Sequence, residues 1–385
     1  MYKTSSSGDR VFFGLTILLT ILGLLSVANT SAPLAVTVFN DPLFFVKQQV
    51  VWAILGFIAL IAAYMTPYTL WKKFAPHIFV GTVILLILVL IPGFGSKLLG
   101  ARRWLSIGPA SFQPSEFIKL ALALFFAWLS ERNAPIKYYA WTLAVVSGLV
   151  MLQPDLGTTI TIVTMGFIQM FITGFPLLTL GIFGGAGAIS ALVLILTSGY
   201  RRARLISFFS HETDPNGTSY HVRQIVLALG SGGLFGVGLG QSKQKQLFLP
   251  ETATDSVFAV IAEELGFIGA LALILLLSYF CLRALKISKN APDKFSQILS
   301  AGIAVWLGGQ MFLNIASMVS LTPLTGIPLP FFSYGGSSLT MILLSVGILL
   351  QISRHGAYQE PSSHLADRRA RRHHSPRYHP SIKKR

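Results

Sequence analysis

Long apolar stretches alternate with short polar ones from residue 11 to residue 352 of the chain. An α-helix needs roughly 20 apolar residues to cross the hydrocarbon core of a bilayer. About ten stretches approach that length, at 11–29, 47–66, 76–93, 116–131, 139–152, 156–174, 176–198, 257–282, 297–320 and 336–352. The pattern predicts an all-α polytopic membrane protein of about ten transmembrane helices, with a large loop, 199–256, between helices 7 and 8.

Composition agrees with this class, because hydrophobic residues make up 53% of the 385 residues and charged residues only 11%. Soluble globular chains carry about a quarter charged residues. The first apolar stretch follows Lys3 and Arg10 and resembles a signal peptide. It is longer than the apolar part of a signal peptide, and further spans follow, so we interpret it as an uncleaved first helix. The single cysteine, Cys281, lies in a span and cannot form an intrachain disulfide.

Lys and Arg in the short loops indicate the orientation, since cytoplasmic loops are enriched in them. With the N-terminus in the cytoplasm, the cytoplasmic loops hold Lys72, Lys73, Arg132, Lys137, Arg283, Lys286, Lys289 and Lys294. An even number of spans then places both termini in the cytoplasm and the loops 94–115, 199–256 and 321–335 together on the outer side. Two of these outer loops are also basic, and they hold Lys97, Arg102, Arg103, Arg201, Arg202, Arg204, Arg223, Lys243 and Lys245. An anionic ligand on that side would explain them.

We expect a cytoplasmic N-terminus at 1–10, one membrane domain at 11–353 and a basic cytoplasmic tail at 354–385. The tail is rich in Pro, His and Arg and has no apolar period, so we expect it to be disordered. It supplies part of the net charge of +16. Attraction to anionic inner-leaflet lipids is its favoured role. No nucleic-acid partner is expected, because any short basic run has this composition.

The segment 249–266, LPETATDSVFAVIAEELG, places one carboxylate, Asp255, at the start of an apolar helix. Acids within membrane segments are rare and are candidates for function. If the helix begins near Thr254, either Thr254 or Asp255 suits the N-cap position. The alternative role for Asp255 is general base, which needs a carboxylate within reach of a hydroxyl in a partly dry site. For Glu263 and Glu264 we favour structural pairing, because buried unpaired carboxylates are costly.

Two basic motifs have both a structural and a functional interpretation. The segment from Gly230 to Lys245, GSGGLFGVGLGQSKQK, lacks the Gly-Lys-Ser/Thr of a phosphate loop. Close packing of small residues against membrane helices is favoured, and the alternative is a backbone cradle for a lipid pyrophosphate with Lys243 and Lys245 as contacts. Arg103 and Trp104 suit contact with phosphate or sugar, because a guanidinium is a planar fork and Trp prefers the membrane interface.

Two other motifs favour structural roles. Glu116 and Lys119, at i and i+3, are expected to pair on one helix face, with Ser115 as N-cap. The sequence QPDLG at 153–157 predicts a tight turn in which Asp155 caps the next helix.

Five segments, in this order, resemble the SEDS family of FtsW/RodA/SpoVE peptidoglycan glycosyltransferases. They are GARRWLSIGPASFQPSEFIKL, LQPDLGTT, ALGSGGLFGVGLGQSKQKQLFLPE, TDSVFAVIAEELGFIG and LTGIPLPFFSYGGSSL. The last segment is nearer the RodA form than the TKG-containing form common in FtsW. The resemblance implies a fold of ten helices with a large outer loop between helices 7 and 8.

The resemblance also implies a reaction, the polymerisation of lipid II into β-1,4-linked glycan strands with inversion at the anomeric carbon. The family's essential acid corresponds to Asp255, which would act as general base. The candidate substrate-binding residues are Arg103, Trp104, Lys119, Arg223, Lys243, Lys245 and Ser333. The cations Arg103, Arg223, Lys243 and Lys245 would stabilise charge on the departing pyrophosphate. The residues leave open whether a divalent cation, Mg or Mn, shares this task, and no other cofactor is expected.

The implied partners are a class B penicillin-binding protein, which cross-links the strands, and proteins of the divisome or elongasome. The implied location is the bacterial plasma (inner) membrane, with the active face outside the cytoplasm. Two other functions stay open, a lipid II flippase and a non-catalytic scaffold for the transpeptidase. A transporter is expected to carry polar residues through several mid-membrane helices. Here they cluster toward one face, which favours the transferase.

Overall fold

The computed structural model describes residues 8–98, 101–107, 110–197, 218–246 and 248–356. Its helices are α1 (Arg10–Phe39), α2 (Phe44–Met65), α3 (Tyr68–Leu90), α4 (Pro114–Glu131), α5 (Ile136–Leu152), α6 (Leu156–Thr173), α7 (Leu177–Thr197), α8 (Thr218–Gly232), α9 (Val257–Lys289), α10 (Lys294–Met318) and α11 (Gly336–Gly356). Ten of them coincide with the ten apolar stretches, and α8 lies within the predicted large loop. The predicted tail from 357 onward, and the segment 198–217 with its three arginines, lie outside the described residues.

Seven of the helices in the described ranges are long and apolar enough to cross a membrane: α1, α2, α3, α6, α9, α10 and α11. Helix α4 has the length but carries three charged residues, Glu116, Lys119 and Glu131, and α5 has 17 residues. Helix α7 is apolar over Leu177–Ser190. Helices α10 and α11 are the most deeply buried of the seven, and they pack against α2, α4, α6 and α9. The predicted class, an all-helical multi-pass membrane protein, is confirmed.

Capping explains where α6 begins and corrects one prediction about α4. The Asp155 carboxylate accepts a hydrogen bond from Thr158 N at 3.0 Å and caps α6 as predicted. Ser115 is not the N-cap of α4, so that prediction was wrong. The helix follows Gln113 and has Pro114 as its first residue, where the missing N–H of proline costs no helical hydrogen bond.

A small antiparallel sheet connects α3 to α4, where the apolar pattern predicts only a loop. Its strands are β1 (Gly95–Leu98), β2 (Ala101–Ile107) and β3 (Ala110–Phe112), in that order. Leu105 on β2 lies opposite Gly95 on β1 and opposite Phe112 on β3. The sheet gives Arg103 and Trp104 a defined place on β2.

The connections between helices form two opposite ends of the bundle. One end, which we call the loop face, carries the turn at 40–43 between α1 and α2, the sheet of β1 to β3, the turn at 153–155 and the segments 233–246, 248–256 and 319–335. The backbone N–H of Gln113 donates to Ser337 Oγ there at 3.2 Å. At the other end, the opposite face, Lys294 Nζ donates to Asn133 Oδ1 at 3.1 Å and Lys72 pairs with Glu131. In the described ranges, all three predicted outer loops therefore lie together on the loop face.

Helix α9 is interrupted at Gly266, which has φ 68° and ψ −170°. Such an interruption deprives peptide groups on both sides of helical hydrogen bonds, and a buried peptide group needs another partner. The segment 233–238 supplies four backbone bonds of 3.0, 3.0, 2.9 and 3.2 Å, which run from Val237 to Glu263, from Gly238 to Glu264, from Phe267 to Gly233 and from Ile268 to Leu234.

This contact requires glycine on both sides. A Cβ added at Gly236 would lie 2.1 Å from Glu264 O, and one added at Gly266 would lie 2.3 Å from Gly236 N. Both residues have positive φ, which side-chain-bearing residues rarely adopt. The favoured interpretation of the glycine-rich segment, close packing against a membrane helix, is confirmed.

Candidate functional site

The segment 249–256, which leads into α9, is anchored on the loop face through its backbone. Three consecutive carbonyls, of residues 253, 254 and 255, accept hydrogen bonds from distant parts of the chain. The three donors are Tyr334 N to Ala253 O at 2.7 Å, Ser333 Oγ to Thr254 O, and Asn314 Nδ2 to Asp255 O at 2.9 Å. Thr252 Oγ1 also donates to Thr30 O of α1 at 3.3 Å. The main chain at Asp255 is therefore fixed independently of the Asp255 side chain.

Asp255 itself is half-buried and lies just before α9. The helix begins at Val257 with Ser256 as its N-cap, which removes the alternative that Thr254 or Asp255 is the cap residue. The Ser256 side chain makes no capping bond, and its Oγ lies 2.8 Å from His221 Nε2 on α8. A half-buried carboxylate on the loop face has the partial desolvation and the access that a general base needs.

Ser333 and Tyr334, which follow α10, hold the segment 249–256 through hydrogen bonds to its carbonyls. Ser333 is buried, and its Oγ accepts from Leu329 N at 2.7 Å while it donates to Thr254 O. The Tyr334 hydroxyl donates to Gln48 Oε1 on α2, and burial raises the pKa of Tyr334. Ser333, predicted to contact substrate, is used in this structure for hydrogen bonds within the protein, which join its own segment 319–335 to the segment 249–256.

Glu263 and Glu264 are both buried and both paired, as the sequence favoured. Glu264 Oε1 lies 2.8 Å from Lys245 Nζ, which also donates to Asn29 Oδ1 of α1 at 2.6 Å. Glu263 accepts from the hydroxyl of Ser242. These bonds fasten the glycine-rich segment to α9 and α1.

The predicted phosphate-binding cations differ in their surroundings. Lys245 is only 5% exposed, and its ammonium is held by Glu264 and Asn29. Lys243 and Arg223 are exposed. The structure thus gives Lys245 an internal role and leaves Lys243 and Arg223 accessible on the segments next to Asp255.

Arg103 connects the sheet to the turn between α5 and α6. Its Nε donates to Gln153 O at 2.9 Å, and its Nη2 donates to Pro154 O. Trp104, next on β2, is half-buried, and its carbonyl accepts from Ser96 Oγ at 3.1 Å. Two donor atoms of the Arg103 fork therefore hold the loop face together, while contact of Arg103 and Trp104 with substrate stays a prediction.

Lys119 is buried in the bundle interior and not on the surface of the loop face. Its Nζ lies 2.7 Å from Glu116 Oε1, which confirms the predicted pair, and 2.9 Å from Gln310 Oε1 on α10. It also lies 5.0 Å from the ring centroid of Trp306. Trp306 Nε1 donates to the same Gln310 oxygen at 2.9 Å. These contacts make Lys119 the centre of an internal polar cluster.

Within the ranges that the structure describes, no three acidic, histidine or cysteine side chains come together as a set able to hold a metal ion. Participation of Mg or Mn therefore stays a prediction.

Comparison with known proteins places this arrangement in a family. The profile described as "Cell cycle protein", for FtsW, RodA and SpoVE, matches residues 9–358. The chain belongs to this family. Similar FtsW/RodA/SpoVE members include "Stage V sporulation protein E" of Bacillus subtilis, 39% identical over 93% of this chain and 100% of that protein. Another is "Probable peptidoglycan glycosyltransferase FtsW" of a Geobacter species, 36% identical over 90% of this chain and 96% of that protein.

Solved structures of the family share the fold. The RodA structure of Thermus thermophilus superimposes with a TM-score of 0.68 at 28% identity, over 92% of this chain and 99% of that one. A chain of the structure described as "Structural coordination of polymerization and crosslinking by a peptidoglycan synthase complex" has a TM-score of 0.76 at 28% identity, over 92% and 100%. The predicted SEDS resemblance is thus confirmed, with similarity to SpoVE, FtsW and RodA proteins alike.

Three residues of the site were missed by reasoning from sequence. Asn314 and Gln310 lie one turn apart in the apolar helix α10, and such amides inside a span were a usable signal. His221 lies in the large loop, where nothing in the local pattern distinguishes it. Its role became visible only through its contact with Ser256.

Proposed function

We propose that this chain polymerises lipid II into glycan strands at the loop face, with Asp255 as general base. Family membership and the names of its relatives support the class of enzyme, a peptidoglycan glycosyltransferase. The observation that carries the assignment of the base is the half-buried Asp255 on an anchored backbone, next to segments that expose Arg223 and Lys243. No other acid of the described loop face combines these features with the family motif.

In the proposed reaction, Asp255 accepts the proton of the acceptor GlcNAc 4-hydroxyl. The oxygen attacks C1 of the donor MurNAc, and the bond from C1 to the undecaprenyl pyrophosphate oxygen breaks. Attack opposite the leaving group inverts C1. Negative charge grows on the pyrophosphate, and fixed cations there stabilise the transition state. Arg223 and Lys243 are the accessible candidates for this role, and a divalent cation is a further one.

The loop face is proposed to lie outside the cytoplasm. The opposite face carries Lys72, Lys294 and Arg283, which pairs with Asp9, and cytoplasmic ends are enriched in such residues. In a Cys281→Ala background, a membrane-impermeant maleimide added to intact cells is expected to label Lys47→Cys and not Lys73→Cys, since both positions are exposed. Labelling of Lys73→Cys alone would show that the opposite face lies outside the cytoplasm, and it would refute an external active site on the loop face.

The enzyme itself is tested with purified protein and lipid II. Glycan polymer from the protein alone supports the transferase. Movement of lipid II across vesicle membranes without polymer would favour the flippase, and neither activity would favour the scaffold. The solved peptidoglycan synthase complex suggests partnership with a transpeptidase. We propose a class B penicillin-binding protein in that role, and co-purification with the cognate transpeptidase tests this.

Substitutions of Lys243 and Lys245, two residues apart, distinguish a lysine that contacts substrate from one that stabilises the fold. We expect Lys243→Met to raise the KM for lipid II several-fold and leave thermal stability unchanged, because this cation is exposed. Lys245→Met removes the ion-pair partner of buried Glu264 and is expected to lower the thermal midpoint markedly. Purified variants in one detergent, assayed for both quantities, make the comparison. The reverse pattern would show that Lys245 is the phosphate contact.

A further inference from the structure

We propose that Asn314 is a positioning residue for Asp255, a buried amide on α10 that sets where the carboxylate-bearing backbone lies. This inference rests on the proposed function in that it takes Asp255 as the base. The role was not apparent from the sequence, because 59 residues separate Asn314 from Asp255.

Both amide hydrogens of Asn314 bond to backbone carbonyls. Nδ2 donates to Asp255 O at 2.9 Å and to Ile327 O at 2.7 Å, and the residue is 1% exposed. An amide nitrogen has two hydrogens to donate, so its donor capacity is fully used. One side chain thus joins the Asp255 segment to the segment 319–335.

The acceptor atom of the same amide is not satisfied. Asn314 Oδ1 is buried and has no hydrogen-bond partner among the described residues. A buried polar atom without such a bond destabilises a protein. The amide therefore contributes through its two donated bonds, which fix the positions of the Asp255 and Ile327 carbonyls.

The Asn314 contacts close a ring around the Asp255 segment. From Ile327 the chain continues to Leu329, whose N–H donates to Ser333 Oγ at 2.7 Å. Ser333 Oγ in turn donates to Thr254 O, the carbonyl before that of Asp255. The loop residue Ser333 therefore holds Thr254 O, and Asn314 of α10, itself bonded to Ile327 O of that loop, holds the next carbonyl, Asp255 O. Removing Asn314 leaves only the Ser333 side of this ring.

Gln310 connects this ring of hydrogen bonds to the buried ion pair of Lys119 with Glu116. Gln310, one turn before Asn314 on α10, donates from Nε2 to Pro328 O at 3.0 Å. Its Oε1 accepts from Lys119 Nζ at 2.9 Å. Helix α10 therefore holds the successive carbonyls of residues 327 and 328, and the Lys119 cluster holds Gln310 in place.

The physical consequence concerns kcat. A general base acts only within hydrogen-bond reach of the proton it accepts, and a displacement of about 1 Å costs about 100-fold in rate. Substrate contacts made elsewhere do not depend on this placement. Loss of Asn314 is therefore expected to lower kcat and to leave the KM for lipid II within about twofold of wild type.

Gln169 is a matched control, because it makes the same type of contact away from the site. It is fully buried, and its Nε2 donates to Ala123 O and to Ile298 O, both at 3.1 Å. Ile298 lies one turn from the start of α10 at Lys294, near the opposite face. Each residue bridges two backbone carbonyls, so Asn314→Leu and Gln169→Met remove equivalent hydrogen bonds.

The experiment uses the full chain in nanodiscs. We expect Asn314→Leu to lower kcat about 100-fold, with faster hydrogen exchange confined to 249–256 and 325–334. Gln169→Met is expected to lose similar thermal stability and keep the wild-type kcat. If Asn314→Leu does not fold, Asn314→Thr takes its place, because threonine is uncharged and has a single hydrogen to donate, so at least one of the two bonds is lost.

Equal kcat values for the two variants, or unchanged exchange at 249–256, would overturn the positioning role. Failure of the proposed base is recognised separately. If Asp255→Asn remains active while Asn314→Leu still loosens 249–256, the anchoring stands and the assignment of Asp255 falls.

Discussion

Asp255→Asn is expected to abolish glycan polymerisation and to leave the protein folded. Asparagine has the same shape but cannot take a proton from the acceptor hydroxyl, and general-base catalysis contributes about 10²–10⁴ in rate. Folding should persist because Asp255 is anchored through its backbone carbonyl and those of its neighbours. The measurement is polymer formed from lipid II by purified protein, resolved by length on a gel, together with the thermal midpoint.

Asp41→Asn is the control for this experiment. Asp41 is another carboxylate on the loop face, in the turn between α1 and α2, where it pairs with Lys47 at 2.7 Å. Its carboxylate accepts from Lys47 and from Leu43 N and makes none of the contacts described above that anchor 249–256, so its loss should leave polymerisation intact. Equal polymer from Asp255→Asn and wild type would refute Asp255 as the base. Loss of activity in both variants would point to a general need for negative charge on this face.

Lys119→Met is expected to have the largest effect on stability. Lys119 and Glu116 are almost completely buried, and removing one member of a buried ion pair costs about 3–5 kcal/mol. The other carboxylate oxygen of Glu116, Oε2, has no hydrogen-bond partner among the described residues. Without Lys119 the whole carboxylate is left unpaired. Unfolding midpoints in detergent should fall strongly for Lys119→Met and for Glu116→Gln.

The double variant and a second ion pair complete this test. Combining Lys119→Met with Glu116→Gln should cost less than the sum of the single changes, because the two residues are in contact. Lys72→Met removes a half-exposed pair with Glu131 on the opposite face, and such pairs contribute about 0–1 kcal/mol. If Lys119→Met retains wild-type stability but binds lipid II weakly, Lys119 is a substrate contact, as the sequence predicted, and not a structural centre.

Local sequence was a reliable guide wherever one helix or one turn decides the outcome. Ten helices were predicted from apolar length, because the hydrocarbon core demands about 20 apolar residues of each span. The cap at Asp155 followed from the turn sequence QPDLG, and the pair of Glu116 with Lys119 followed from their spacing of three residues. The sheet at 95–112 was missed, since a polar segment of short strands has no apolar period.

Prediction failed where a contact joins distant parts of the chain. The interruption of α9 at Gly266 depends on four backbone bonds to 233–238, about 30 residues earlier, and the local apolar run gives no sign of it. The contacts of Lys245 with Glu264 and Asn29 were not foreseen either, because Asn29 is 216 residues away in sequence, and contact of Lys245 with phosphate stays a prediction. The bond from Ser333 to Thr254, 79 residues earlier in sequence, was likewise not foreseen, and contact of Ser333 with substrate stays a prediction.

The sequence alone determined the membrane class, the helix positions, the family and the candidate base, because hydrophobic length and short motifs are local properties. Tertiary structure decided which polar groups remain available to a substrate. A buried ammonium or hydroxyl must find a partner in a medium of low polarity, and the partner nearest in space need not be near in sequence. Packing of α1, α9 and α10 around the loop face therefore gave Lys245, Ser333 and Asn314 hydrogen-bond partners within the protein and left Lys243 and Arg223 exposed.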